Sequence, residues 1–461
     1  MRLATRIANT SIFFLGVLST LTACGGGGSG AVEAVASDTA VVVEASAPVA
    51  DSSDTTASDD PKPNILLIIS DDQGLDSSAQ YALSQDLPAT PTLDTLAANG
   101  LVFDNFWATP GCTTTRSALI TGKYGTSTGV LAIGDELPAS EEVLHRYLAS
   151  DEQTAQYQSA LIGKWHLGGN GAAQSHPNDM GIPYFAGSLG GAIPDYYAWT
   201  FSTNGQSEQS TSYNTTQLTD SAIEWIQEQS SSWFLWLAYV APHLPLHLPP
   251  ADLSNRYLSG QESDIEDNPR DYYLAAIEAM DTEIGRLLDS MSEEQRSNTI
   301  VFFIGDNGTP AQVTDSLVYV NGSKATLAEG GIAVPMIASG MGVGRRNERE
   351  SALINATDFF ATIAQLAGSD VSAIHDSVSF RELLSETDIA PRQYNYVAFE
   401  SERETGWAIR NQQYKLIEYA EGQQVLYDLI NDPLETTELL GSGGDYSSVR
   451  SELLAELDAI R

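Results

Sequence analysis

The chain has 461 residues, two cysteines and a formal net charge of −39, from 61 Asp+Glu against 22 Lys+Arg. That acid excess excludes a nucleic-acid binder, whose affinity rests on Lys and Arg contacts to phosphate. Two cysteines exclude a disulfide framework or a four-thiolate zinc site. A hydrophobic content of 42% is that of a globular protein, and the length suits one large α/β domain with an appendage or two to three average domains.

In chain order, Arg2 and Arg6 precede a short apolar run at residues 12–18. The run is too short to span a bilayer, and residues 1–23 read as an export signal. Leu21-Thr22-Ala23-Cys24, followed by four glycines, resembles a bacterial lipobox. The resemblance implies a lipid on Cys24 and an exported, membrane-anchored lipoprotein facing the periplasm or the exterior. Residues 24–62 are Gly-rich and then acidic, too poor in apolar groups to fold, and read as a disordered tether. The remainder divides into a catalytic domain, 63–385, and a C-terminal subdomain, 386–461.

The folded part opens with Asn64-Ile65-Leu66-Leu67-Ile68-Ile69-Ser70 and stops at Asp71 and Asp72. A continuous branched apolar run predicts a strand buried on both faces of a parallel sheet. The pattern recurs at residues 299–305, which run into Asp306 and Asn307. Ligands of open α/β sheets sit beyond the carboxyl ends of strands. If the two strands are neighbours, Asp71, Asp72, Asp306 and Asn307 form one oxygen-rich site for a hard cation, Ca²⁺ or Mg²⁺ rather than zinc. Residues 234–240 predict another buried strand. Residues 220–226 predict an amphipathic helix capped by Asp220. In 273–288, Tyr273, Ile277, Met280, Ile284, Leu287 and Leu288 share one helical face directed at the core. His145, His176, His247 and His375 read as structural or surface groups, and Arg345, Arg346 and Arg349 as a solvated loop.

Between the two acidic strand ends lies Gly111-Cys112-Thr113-Thr114-Thr115-Arg116-Ser117-Ala118-Leu119-Ile120-Thr121-Gly122. Cys112, Arg116 and Leu119 with Thr121-Gly122 resemble the signature of type I sulfatases, in the alkaline phosphatase superfamily; Thr114 stands where that signature has proline. Gly163-Lys164-Trp165-His166-Leu167-Gly168, Ala241-Pro242-His243 and Gly322-Ser323-Lys324-Ala325 match further family blocks in family order. Tyr414-Lys415-Leu416-Ile417 and Leu426-Tyr427-Asp428-Leu429 resemble its C-terminal subdomain. Lysine is scarce, with five in the chain, so Lys164 and Lys324 stand out from solubility residues.

The resemblance implies an alkaline-phosphatase-like α/β fold. Its central sheet would be mixed but largely parallel, flanked by helices, with a small C-terminal antiparallel sheet. It also implies a sulfuric ester hydrolase acting on a small or oligomeric sulfated substrate. Cys112 would be oxidised to Cα-formylglycine by a formylglycine-generating maturation enzyme, and the aldehyde hydrate would be the nucleophile. Arg116, Lys164 and Lys324 would bind the sulfuryl group, with His243 as general acid and His166 as base. A helix beginning just after Cys112 would aim free N–H groups and its positive dipole end at the anion. Two other readings stay open at this level. One is a phosphodiesterase or phosphonate monoester hydrolase on the same scaffold, the other a catalytically silent lipoprotein that binds sulfated glycans.

Overall fold

The computed structural model describes residues 62–461; the export signal, Cys24 and the tether up to residue 61 lie outside the described residues. The first apolar run forms strand β1 (Asn64–Ser70), every residue of it buried. Nine more strands join it: β2 (Gly100–Trp107), β3 (Gln158–Lys164), β4 (Tyr184–Ser188), β5 (Trp199–Thr203), β6 (Gln206–Ser210), β7 (Trp233–Ala238), β8 (Thr299–Gly305), β9 (Met336–Gly340) and β10 (Glu348–Asn355). Their order across the sheet is β10-β2-β9-β8-β1-β7-β3-β4-β5-β6. The central β8-β1-β7-β3-β4 run is parallel, β2 and β10 pair in parallel, and β9, β5 and β6 run antiparallel to their neighbours. This is the mixed, largely parallel sheet that the family resemblance implies.

Alternate side chains of β1 serve two cores. Ile65, Leu67 and Ile69 face one side, with Leu119 and Ile120 of the helix Cys112–Thr121 and Phe359 and Phe360 of the helix Asp358–Ala367. Leu66 and Ile68 face the other, against Leu218 of the helix Asn214–Gln227 and Met280, Ile284 and Leu287 of the helix Pro269–Ser290. Burial on both faces is why these strands are continuously apolar rather than alternating. A small ladder, β11 (Ala373–Ile374) and β12 (Ser377–Val378), precedes an antiparallel meander. The meander comprises β13 (Asn395–Glu400), β14 (Thr405–Arg410), β15 (Tyr414–Tyr419) and β16 (Gln424–Asp428), and the helix Ser447–Ile460 packs Leu453 and Leu457 onto it. Among the described residues no helix is long and apolar enough to cross a membrane.

Three local expectations are corrected. Asp220 is no cap: the helix begins at Asn214, and mid-helix Asp220 pairs with Arg286 at 2.8 Å. The long helix buries more than one face, because Tyr273, Leu274 and Ile277 meet Val313 while Met280, Ile284 and Leu287 meet the sheet. Arg345 is buried rather than solvated, paired with Glu348 at 2.9 Å and with Glu350, and Arg349 lies on β10 against Asp104. In each case the deciding partner is distant in sequence or lies in a strand that local composition does not reveal.

Candidate active site

β1 and β8 are adjacent and in register, Ser70 beside Gly305, so the residues that follow them emerge together. Asp71, Asp72, Asp306 and Asn307 are all buried. The Asp72 N–H donates to Asp306 Oδ1 at 2.9 Å, and Asn307 Nδ2 donates to Asp72 Oδ1 at 2.8 Å. Asp72 takes a left-handed φ of 70°, a strained conformation for a non-glycine residue. Its own N–H bond and the Tyr273 hydroxyl, 2.7 Å from its carbonyl oxygen, hold it there.

Two acceptor atoms in this cluster, Asp71 Oδ1 and Asn307 Oδ1, are buried without a hydrogen-bond partner. A buried acceptor left unpaired costs about 1–3 kcal/mol, more when it is charged. Asn307 Nδ2 is committed to Asp72 and to the Gly308 carbonyl, which fixes its oxygen as the free end. Three carboxylates and an outward amide oxygen are the donor set of a hard divalent cation, so the residues fit such an ion. One ligand-type atom from each of Asp71, Asp72, Cys112 and His243 lies within 4.8 Å of the others, which puts the thiol at the same focus.

Cys112 is the first residue of the helix Cys112–Thr121, with Gly111 before it as N-cap. The first bond inside the helix runs from Thr115 N to Gly111 O, so the N–H groups of residues 112–114 have no partner within it. Arg116, one turn on, is fully buried. It donates to the Lys164 carbonyl at 2.9 Å and to Asp306 Oδ2 at 2.7 Å, and its Nε has no partner. Thr114, at the signature's proline position, donates to the Gly111 carbonyl at 2.8 Å and meets the Thr109 hydroxyl.

Lys164 closes β3 and reaches Asp71 Oδ2 at 2.5 Å; Lys324 reaches Asp72 Oδ1 at 2.5 Å and Cys112 Sγ at 3.5 Å. The three carboxylates thus face three cations. Burial opposes ionisation of Asp71, but Lys164, His243, Arg116 and Lys324 outweigh it and hold that carboxyl below the usual range. Asp306 is driven the other way, by burial and then by the charge of Asp71. Burial also raises the Cys112 thiol, against the pull of Lys164 and Lys324. Lys324 is held protonated, since Asp72 and Cys112 overcome its desolvation.

The two histidines differ in setting. His243 follows β7, its Nδ1 donates to the Leu244 carbonyl at 2.8 Å, and its Nε2 lies 3.7 Å from Asp72 Oδ2. Burial lowers its pKa. His166 has a left-handed φ of 56°, and both ring nitrogens lie 3.3 Å from the Thr113 hydroxyl, next to Cys112. Burial, then Lys164, pushes its pKa down to about 2, so it stays neutral.

All ten residues predicted for the site therefore gather at the ends of β1, β3, β7 and β8. Sequence reasoning missed their supports. Thr113 joins His166 to the Gly134 N–H at 2.9 Å. Gly191 lies so close to the His166 ring that a Cβ there would overlap it. Thr309 links Gly74 to Asp76, and Ala325 N–H donates to the Pro110 carbonyl at 2.8 Å, tying the Lys324 loop to the cysteine loop. The Gly-Gly pair at 190–191 was the one local signal; the others are ordinary residues made important by distant partners. Of the remaining histidines, His145 is buried against Phe234, His247 stacks on Tyr196 at 3.7 Å, His176 accepts from Trp165, and His375 lies 3.7 Å from Glu142.

Residues 63–369 match the Sulfatase family, and residues 323–461 match "N-sulphoglucosamine sulphohydrolase, C-terminal". Arylsulfatase G of Rattus norvegicus is 29% identical over 70% of this chain and 69% of its own length. N-acetylgalactosamine-6-sulfatase of Homo sapiens is 29% identical over 66% of this chain and 62% of its own. The chain thus spans about two thirds of the length of these relatives. The crystal structure of Ps i-CgsB, also solved in complex with k-i-k-neocarrahexaose, superposes with a TM-score of 0.74. It is 25% identical and covers 86% of this chain and 92% of that chain.

The curated relatives overturn one expectation. They are mammalian arylsulfatases and N-acetylgalactosamine-6-sulfatases rather than bacterial lipoproteins, so the location inferred from the lipobox-like Leu21-Thr22-Ala23-Cys24 does not stand. A four-residue match in a short apolar leader carries far less information than a catalytic domain aligned over hundreds of residues. On the fold, the site and the span of the match, the chain belongs to the sulfatase family, sulfuric ester hydrolases of the alkaline phosphatase superfamily.

Proposed function

We propose that the protein hydrolyses carbohydrate or aryl sulfate esters, with Cys112 oxidised to formylglycine and a calcium ion held by Asp71, Asp72, Asp306 and Asn307. The observation that carries this reading is the meeting of Cys112 Sγ, Lys324 Nζ and a buried carboxylate cluster with two unpaired acceptor oxygens. As encoded, Cys112 is a poor nucleophile, since burial keeps it a thiol. Its Sγ stands in for the hydrate oxygens of the oxidised residue. Calcium suits the set better than magnesium, which keeps most of its water and seldom takes an all-protein cage.

When bound, the ion supplies Lewis-acid polarisation of oxygen at the site. A formylglycine hydrate at position 112 would supply two hydroxyls on one carbon, one a nucleophile and the other a group whose proton a base can take. The chain's own residues do the rest. Arg116 holds Asp306 and keeps Nε free as a buried donor beside the cysteine. Lys164 and Lys324 neutralise charge on the sulfuryl oxygens in a water-poor setting, where such contacts are strongest. His243, its Nδ1 fixed on Leu244, directs Nε2 into the site and gives a proton to the leaving oxygen from its imidazolium form, which burial opposes and Asp71 and Asp72 favour. His166, kept neutral beside Thr113, takes the proton of the second hydroxyl.

The partner implied is a formylglycine-generating maturation enzyme that accepts Thr114 in place of proline. A carbohydrate sulfate is supported by the N-acetylgalactosamine-6-sulfatase relatives and by the neocarrahexaose complex of Ps i-CgsB. Mass spectrometry of the peptide ending at Arg116 should show an aldehyde in place of the thiol, and Cys112→Ala should abolish turnover without unfolding. Full turnover by protein carrying an intact thiol would sink the nucleophile assignment. Parallel assays with an aryl sulfate and an aryl phosphodiester separate this enzyme from a phosphodiesterase on the same scaffold.

A further inference from the structure

A concave site away from the catalytic cluster lies on the flank of the sheet. A cavity of about 940 Å³ opens where edge strand β10 meets the meander and the start of the helix Ser447–Ile460. That volume is near the top of the range of about 300–1,000 Å³ typical of ligand sites. Along the strand order, β10 is three steps from β8, which puts the cavity about 15 Å to the side of the catalytic strands. The pairing of β10 with β2 breaks between Glu350 and Leu353, and this bulge forms one wall. Bulges at a sheet edge interrupt pairing and redirect side chains, often beside functional sites.

The lining chemistry selects the ligand. Tyr394, Tyr414 and Tyr446 are half-buried on the meander core, with Tyr414 and Tyr446 edge to face at 6.4 Å. Around them stand the amides of Gln393, Asn411 and Gln412. The charges that could hold an ion are already engaged. Glu350 pairs with Arg345, Arg392 pairs with Asp358, and Glu452 accepts from the Tyr394 hydroxyl at 3.1 Å and from Asn411 at 3.3 Å. The rim adds Asp388 and Asp445, which repel an anion. Apolar rings fringed by amides and engaged carboxylates, without a free cation, match the apolar face and hydroxyl edges of an uncharged sugar.

We propose that this cavity is a saccharide-binding site for an unsulfated stretch of an oligo- or polysaccharide. It rests on the reading of a carbohydrate substrate, and a polymer held there presents its sulfated units to the catalytic site at raised local concentration.

Calorimetry of full-length Cys112→Ala protein, which turns nothing over, tests the binding apart from the chemistry. The probes are hexasaccharides of desulfated carrageenan, cellulose and mannan, with spermine as the cationic control. At least one neutral hexasaccharide binds, and Ser448→Arg, an exposed change that fills the cavity, weakens it at least about tenfold. In protein with Cys112 intact, Ser448→Arg leaves 4-nitrophenyl sulfate turnover unchanged and lowers kcat/KM on a sulfated polymer. Binding of none of the three sugars, equal binding by Ser448→Arg, or binding of spermine alone overturns the proposal. Aryl sulfate turnover lost on Ser448→Arg alone also overturns it, whereas absence of that turnover in the wild-type protein would count against the sulfatase chemistry instead.

Discussion

Lys415 is the buried cation that joins the C-terminal meander to the wall of the active site. Its ammonium is fully buried, 2.9 Å from Glu329 and 2.7 Å from Glu435. It also lies 5.1 Å from the ring of Trp107, whose indole N–H donates to Glu329 at 3.3 Å. Trp107 ends β2, five residues before Cys112. Replacing Lys415 with Met keeps the stem and deletes the charge, leaving two carboxylates, Glu329 at 6% and Glu435 at 3% exposure, without their ion-pair partner and, among the described residues, with only the unpaired charge of Arg410 nearby. Breaking a buried pair from one side costs about 3–5 kcal/mol. Urea unfolding of Lys415→Met should show a loss of that size, with the midpoint lowered and the m-value unchanged.

The deficit carries a pH signature. Burial already raises the Glu435 carboxyl, with Lys415 opposing and Glu329 adding to the rise, and losing Lys415 raises it further. A folded pKa above the unfolded value of about 4.3 penalises the ionised native state, so the deficit is largest near neutrality and shrinks as the pH falls toward that value. Glu435→Gln in the Lys415→Met background should recover part of the loss. A deficit below about 1 kcal/mol, or one that grows on acidification, would show that the triad is not held by its charge.

Three more outcomes follow from the geometry. Asn307→Leu removes the unpaired amide oxygen, so calcium should no longer raise the melting temperature, whereas apo wild-type protein gains stability on adding the ion. Gly191→Ala places a methyl on the His166 ring and should cut kcat at least about tenfold while the far-UV spectrum stays native; unchanged kcat would remove His166 from the reaction. His145 is fully buried and its pKa is pushed down to about 4 by desolvation. Its neutral form stabilises the fold above the unfolded pKa of about 6.5, and that contribution is lost as the pH falls toward 4, about 3 kcal/mol in all. His145→Gln should flatten the stability profile across that window, read by denaturant unfolding at each pH.

Much of the site was legible because its chemistry is written in contiguous blocks. Two strands with unbroken apolar centres, ending in Asp71-Asp72 and Asp306-Asn307, announce both their burial and their ligands. Cys112 and Arg116 are one helical turn apart, a spacing that local geometry turns into proximity. What the sequence by itself determined was therefore three buried strands of the central sheet, a helix beginning beside the cysteine, and the inventory of charged and ligating groups. Only the tertiary structure decided which cation faces which carboxylate, that Thr113 and Gly191 confine His166, that Arg345 is buried, and that a tyrosine-lined cavity opens beside the β10 bulge. Those contacts join residues tens to hundreds of positions apart. Their energies depend on burial and separation, and neither quantity exists until the chain has folded.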